Sequence, residues 1–337
     1  MIKEAIAKLI EGGSMTMEEA VVVMEEIMTG EVTPAQFGAF VTALRIKGET
    51  VEEIAGLAKT MRAKALRVEV APPVLDVVGT GGDGQNTFNI STTSAFVAAG
   101  AGLKVAKHGN RAASSQCGAA DVLESLGVKI DLTPAQVKQC LIQVGIGFMF
   151  APSFHPAMKY AGPPRKEIGI RTVFNILGPL TNPADANTYL LGVADGSLVE
   201  KMAKVLQSLD CDHALVVHGE DGLDEITLTG GTQVCEVTGG KIKNYTISPE
   251  ELGLVKTGPE NLKGGTAEEN SNVLRGILSG STGPKRDVVL MNAGAALVAG
   301  NLADSLRQGV ELAAESIDGG KAAGKLESLI KLTRSFI

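Results

Sequence analysis

The chain has no tryptophan, and its 337 residues include only three tyrosines and nine phenylalanines. That poverty argues against a protein that stacks bases or sugars on aromatic platforms. It also lacks a basic surplus: the formal charge is −7, the opposite of what a phosphate-backbone binder usually carries. Its four cysteines, Cys117, Cys140, Cys211 and Cys235, form no CxxC pair. They read as free thiols of a reducing compartment rather than as a disulfide or zinc framework. No apolar run approaches the roughly 20 residues that span a bilayer, and an acidic residue, Glu4, comes too early for a secretory signal. The expected setting is the cytoplasm, with no membrane and no nucleic-acid partner.

What the chain does have is a 44% hydrophobic content, dominated by small aliphatic residues, in a length that favours two domains. The first 70 or so residues read as helices only. Ile2, Ala5, Ile6, Leu9 and Ile10 recur at helical spacing. Thr16 with Glu19, Thr33-Pro34 with Gln36, and Thr50 with Glu53 are capping signals for three more helices, the last reaching about Leu66. After Pro72-Pro73 the pattern changes to β-branched runs alternating with helical stretches. Val74–Val78, Lys104–Ala106, Ala214–Val217 and Val288–Leu290 read as buried strands. Helices are expected over 91–99 and 119–126. Residues 151–187 carry six prolines and break this rhythm, so they read as a long irregular segment that returns to the helices through Ile170–Leu177. The expected fold is a large α/β domain (72–337) with a mainly parallel central sheet plus a small all-α N-terminal domain (1–71, joined by about 168–184).

Three loops at strand ends concentrate chemistry. In Gly79-Thr80-Gly81-Gly82-Asp83-Gly84, four glycines in six positions let the backbone turn and offer N–H groups to an anion. Asn86 to Ser94 follow with amides and hydroxyls leading into a helix N-terminus, a favourable phosphate site. Read separately, Asn89 and Ser91 would be caps. The second loop, Lys107 to Ser115, crowds Lys107, Arg111, His108, Asn110, Ser114 and Ser115 at a strand's C-terminal end. The third holds Asp224 and Glu225, hard oxygens that suit magnesium beside substrate phosphates. Arg165, in the proline-rich stretch, could grip a carboxylate with its planar fork.

These motifs closely resemble the anthranilate phosphoribosyltransferases over nearly the whole chain. The resemblance rests on Gly79–Asp83, Asn89–Thr92, Lys107–Arg111, Phe174–Pro183, His218–Glu225 and Asn292-Ala293. It implies transfer of a 5-phosphoribosyl group from 5-phosphoribosyl-1-pyrophosphate to the amine of anthranilate, in tryptophan biosynthesis. The implied fold has its active site at the hinge of the two domains, in a homodimer joined through the helical one. The resemblance further implies that Gly79, Thr80, Gly82, Asp83, Thr87, Asn89, Ser91, Thr92, Lys107, Asn110 and Ser115 surround phosphoribosyl pyrophosphate. Gly79, His108, Asn110 and Arg165 would hold anthranilate, and Ser91, Asp224 and Glu225 would hold Mg²⁺. No side chain is assigned as a general base. Tyr160–Pro163 and Cys117 depart from the usual pattern. The first is expected to alter the anthranilate channel, and neither is expected at the pyrophosphate site. Pyrimidine nucleoside phosphorylases and non-catalytic nucleic-acid-binding relatives are the rival readings. The first lacks the Lys107–Arg111 run, and the second would be more basic.

Overall fold

The computed structural model describes residues 1–112 and 115–336. Four helices open the chain: α1 (Ile2–Ile10), α2 (Met17–Thr29), α3 (Pro34–Lys47) and α4 (Val51–Ala63). Each of the three expected capping boxes is formed. The Thr16 hydroxyl accepts from Glu19 N at 3.2 Å, while the Glu19 carboxylate accepts from Thr16 N at 2.7 Å. Thr33 with Gln36 and Thr50 with Glu53 repeat the exchange. These local bonds satisfy the donors that a helix leaves open at its first turn. Phe37, Phe40, Val41 and Leu44 of α3, and Ile54 and Leu57 of α4, bury the apolar faces.

Beyond residue 70, strands and helices alternate: β1 (Leu75–Gly79), α5 (Ile90–Ala101), β2 (Val105–Gly109), α6 (Ala119–Leu126), α7 (Pro134–Gln143) and β3 (Ile146–Phe150). Three short or bent helices follow, α8 (Ala151–Phe154), α9 (Met158–Ile168) and α10 (Phe174–Leu177). The chain then re-enters the sheet through β4 (Thr188–Gly192), α11 (Val199–Ser208), β5 (His213–Gly219), β6 (Thr232–Thr238) and β7 (Lys241–Ile247). It closes with α12 (Ala267–Leu278), α13 (Pro284–Ala299), α14 (Leu306–Asp318) and α15 (Lys321–Ser335). The seven strands lie in the order β3-β2-β1-β4-β5-β6-β7. The first five run parallel, and β6 and β7 add antiparallel to the β5 edge. The strand order reverses at β1, with β2 on one side and β4 on the other. In open sheets the crevice outside the strand ends at such a reversal is where ligands bind. Among the described residues, no helix is long and apolar enough to cross a membrane.

Two regions differ from the sequence reading. Val288–Leu290 is not a strand but part of α13. Gly283 and Pro284 start that helix, and every residue from Val288 to Ala299 is buried. Packed against α5, α14 and the sheet, it keeps no polar face, so its 3.6-residue periodicity is invisible. The proline-rich segment is also more regular than expected. α9 runs helical through Pro163 and Pro164, although each removes an intrahelical donor. It is held by packing against α2 and α3, while α10 packs on α4. The return to the helical unit therefore begins before residue 168.

Candidate active site

The C-terminal ends of β1, β2, β4 and β5 frame two chambers that meet at Gly79. One, of about 250 Å³, is lined by the glycine loop, Thr87, Asn89, Ser91, Ser115, Cys117, Asp224 and Glu225. The other, of about 590 Å³, is lined by Gly79, Thr80, His108, Asn110, His155, Arg165, Phe174 and Asn175 among others. The first is a chamber of backbone donors and carboxylates. The second is largely apolar, with a cation in its wall.

In the first chamber the carboxylates already sit on the anion donors. Asp224 Oδ2 accepts from Gly81 N at 2.6 Å, and Glu225 Oε1 accepts from Ser91 N, in the first turn of α5, at 3.0 Å. Burial raises the Asp224 pKa well above the ordinary carboxylate range, and the neighbouring Asp83 charge adds to the shift. Burial likewise raises Glu225, and the Asp224 charge adds to it, against the pull of Lys107. Negative charge is thus crowded here and only partly compensated. Asn292 fixes the backbone behind the pair: its side chain accepts from Ile226 N at 2.9 Å and donates to Ile226 O at 2.8 Å. This explains why a polar residue stands in the buried stretch of α13.

Lys107 is 4% exposed and lines neither chamber. Its ammonium donates to Val77 O at 2.6 Å and to Ser91 Oγ at 3.3 Å, orienting that hydroxyl from behind. Burial lowers its pKa, while Asp76, Glu225 and Asp224 oppose that shift. Asp76 is itself raised to about 6 by burial, and it accepts from Asn182 Nδ2 at 2.7 Å. Asn89 is held by two neighbours through three bonds: it donates to Cys117 O, and its carbonyl accepts from Asn270 and the Cys117 thiol.

In the second chamber, His108 and His155 stand with ring centroids 5.0 Å apart. Burial drives both down, His108 to about 3 and His155 to about 4, so both are neutral at physiological pH. Arg165 stacks over the Phe174 ring at 5.2 Å, and burial lowers its pKa. It has no carboxylate partner among the described residues. A half-buried guanidinium without a counter-charge favours an incoming carboxylate.

Several sequence expectations need adjustment. Thr92 lines neither chamber and is buried within α5. Thr80 and Asn110 line the second chamber rather than the first. Arg111 turns away to Asp121 and Glu124. Tyr160 does not shape the channel, because its ring covers Gly30, where a Cβ would come within 2.6 Å of it. Cys117, expected away from the pyrophosphate site, forms part of the first chamber's wall. Ser114 lies outside the described residues. Sequence reasoning did not single out His155 or Asn175, which line the second chamber. The first stands beside Pro152 and Pro156, and the second lies within the Phe174–Pro183 stretch.

Residues 71–323 match the family described as glycosyl transferase family, a/b domain, and residues 3–65 match glycosyl transferase family, helical bundle domain. The chain is 61% identical over 337 residues to an anthranilate phosphoribosyltransferase of Dehalococcoides mccartyi, covering 99% of each. The crystal structure of the Thermus thermophilus enzyme of that name superposes with a TM-score of 0.94 at 46% identity, covering 98% of this chain and 99% of that one. The Saccharomyces cerevisiae enzyme in complex with PRPP and Mg gives a TM-score of 0.91 at 30% identity, over 99% and 98% of the two chains. The same yeast enzyme has been solved in complex with 4-fluoroanthranilate. A donor-lined chamber that meets an apolar, cation-walled one, on a fold shared along its full length with these enzymes, leads to one assignment: the chain belongs to the anthranilate phosphoribosyltransferase family.

Proposed function

We propose that the chain transfers the 5-phosphoribosyl group of 5-phosphoribosyl-1-pyrophosphate to the anthranilate amine, releasing pyrophosphate. The observation that carries this reading is the meeting of the two chambers at Gly79. The pyrophosphate end belongs with the loop amides and the α5 N-terminus, as the anion chemistry of helix N-termini favours. The anthranilate carboxylate belongs with Arg165, which leaves its amine facing ribose C1.

The amine lone pair attacks C1 while the C1–O electron pair leaves with pyrophosphate. One amine proton is then released to solvent. Negative charge grows on the departing group, where fixed N–H donors stabilise it without reorganising. An aromatic amine is a neutral nucleophile, so the protein's contribution is position and electrostatics rather than a strong base. Ser91, Asp224 and Glu225 fit Mg²⁺, because their oxygens are hard donors and their crowded negative charge calls for a cation. When bound, Mg²⁺ supplies charge neutralisation on the leaving pyrophosphate.

Mixing the protein with both substrates and Mg²⁺ should produce a time-dependent loss of anthranilate fluorescence. Arg165→Ala should raise the KM for anthranilate roughly a hundredfold, because a desolvated charge pair loses one partner. The KM for phosphoribosyl pyrophosphate should stay within about twofold. Thymidine phosphorolysis with no loss of anthranilate would overturn the reading.

We also infer a homodimer built through the helical unit, whose Ile10 and Ile46 are 71% and 83% exposed. Burying such residues between copies is favourable. Light scattering should return twice the chain mass of 34.9 kDa, and a monomer at micromolar concentration would sink this.

A further inference from the structure

Arg171 precedes α10 on the segment that packs against the helical unit, and its guanidinium reaches across to the glycine loop. One amino group donates to Gly82 O at 2.7 Å, and the other to Gly81 O at 3.2 Å. It forms no ion pair among the described residues. Room for this fork exists because residue 82 has no side chain, since a Cβ there would fall 2.8 Å from the guanidinium.

The consequence follows from peptide geometry. A trans peptide is planar, with its carbonyl and its N–H pointing in opposite directions. Holding Gly81 O therefore aims Gly82 N–H away from Arg171, and holding Gly82 O does the same for Asp83 N–H. Neither N–H has an acceptor among the described residues. Both residues line the first chamber. Gly81 and Gly82 have φ of +68° and +74°, so both planes lie in a glycine-rich stretch where the backbone could readily flip.

We propose that Arg171 is a positioning residue for the pyrophosphate subsite. By gripping two successive carbonyls from outside the loop, it presets the Gly82 and Asp83 amides as anion donors. This rests on the pyrophosphate reading of the first chamber. It also ties that subsite to the segment that contacts α4, so the loop and the helical unit are mechanically joined.

The test compares the wild type with Arg171→Ala and Arg171→Lys. Three quantities are read: the KM for each substrate, the affinity for inorganic pyrophosphate with Mg²⁺ by calorimetry, and the ligand-free amide NMR signals of glycine-labelled protein. In Arg171→Ala, the KM for phosphoribosyl pyrophosphate should rise, and pyrophosphate affinity should fall, by roughly ten- to a hundredfold, the scale of lost charged hydrogen bonds. The KM for anthranilate should stay within about twofold, and the loop glycine signals should shift or broaden before any ligand is added. Arg171→Lys, a point charge without a fork, should recover only part of the loss. Unchanged pyrophosphate affinity would overturn the proposal. So would ligand-free glycine signals identical to wild type, which would mean that Arg171 acts only on bound substrate. A wild-type protein that turns over no anthranilate would instead defeat the assigned reaction, while the pyrophosphate titrations would still decide the role of Arg171.

Discussion

Replacing Asp224 by Asn and Glu225 by Gln together should cut kcat/KM for phosphoribosyl pyrophosphate by roughly a thousandfold or more, the scale on which electrostatic stabilisation of a leaving group acts. The same double variant should melt no lower than the wild type. The two effects separate because the amides keep the shape and lose the charge. Asn at 224 still offers a carbonyl to Gly81 N, and Gln at 225 one to Ser91 N, the bonds that the carboxylates make at 2.6 and 3.0 Å. Each native pKa is raised, with burial the largest cause, followed by the Asp83 charge for Asp224 and the Asp224 charge for Glu225. A carboxylate whose folded pKa is raised costs stability once pH exceeds its unfolded value near 4, so removing it at neutral pH relieves that cost. Kinetics and thermal melting on one preparation decide the matter. If activity and melting temperature fell together, the pair would be structural; near-normal magnesium-dependent turnover would remove it from the chemistry altogether.

The parts of this molecule that were legible in its sequence are those whose causes lie close along the chain. Thr16 and Glu19 are three residues apart, and the two bonds that they exchange close within that single turn. The glycine loop, the Lys107 run and the Asp224-Glu225 pair are contiguous, so their chemistry could be recognised before their geometry was known. What stayed hidden depends on distant contacts. Val288–Leu290 reads as a strand because α13 is enclosed on every side, and enclosure erases the amphipathic signal. Pro163 and Pro164 sit in a helix because α2 and α3 brace it. Arg171 is 89 residues from the carbonyl that it binds most closely. Lys107 was expected at the substrate, yet it lines neither chamber and its ammonium is turned inward to Ser91 and Val77. Composition and spacing cannot reveal on which side of a strand's end a flexible side chain will lie.

Gly192 carries the second large effect, and nothing around it in the sequence marks it. It ends β4 directly beside Gly79 at the end of β1, in register. The Asp224 backbone crosses just above the two. A Cβ on Gly192 would fall 1.7 Å from Asp224 O and 2.4 Å from its carbonyl carbon, whereas a Cβ on Gly79 would meet Asp224 Oδ2 at 2.3 Å. A carboxylate tip can swing aside, but a peptide group cannot. The Asp224 backbone has no room to yield, because Asn292 grips Ile226 at both its N–H and its carbonyl. Gly192→Ala should therefore displace the carboxylate pair along with the chain that bears it. The expected result is a loss of stability of about 1–3 kcal/mol from overpacking. Activity should fall roughly a hundredfold, as a displacement near 1 Å at a positioned group commonly costs. Gly324→Ala is the control: it lies inside α15, where a new Cβ meets nothing within 4 Å. There the change should stabilise the helix by up to about 1 kcal/mol and leave turnover alone. Should Gly192→Ala keep kcat/KM within about threefold of wild type, the paired glycines would not be what seats Asp224, and the carboxylates would have to be held by Asn292 and the β5 turn alone.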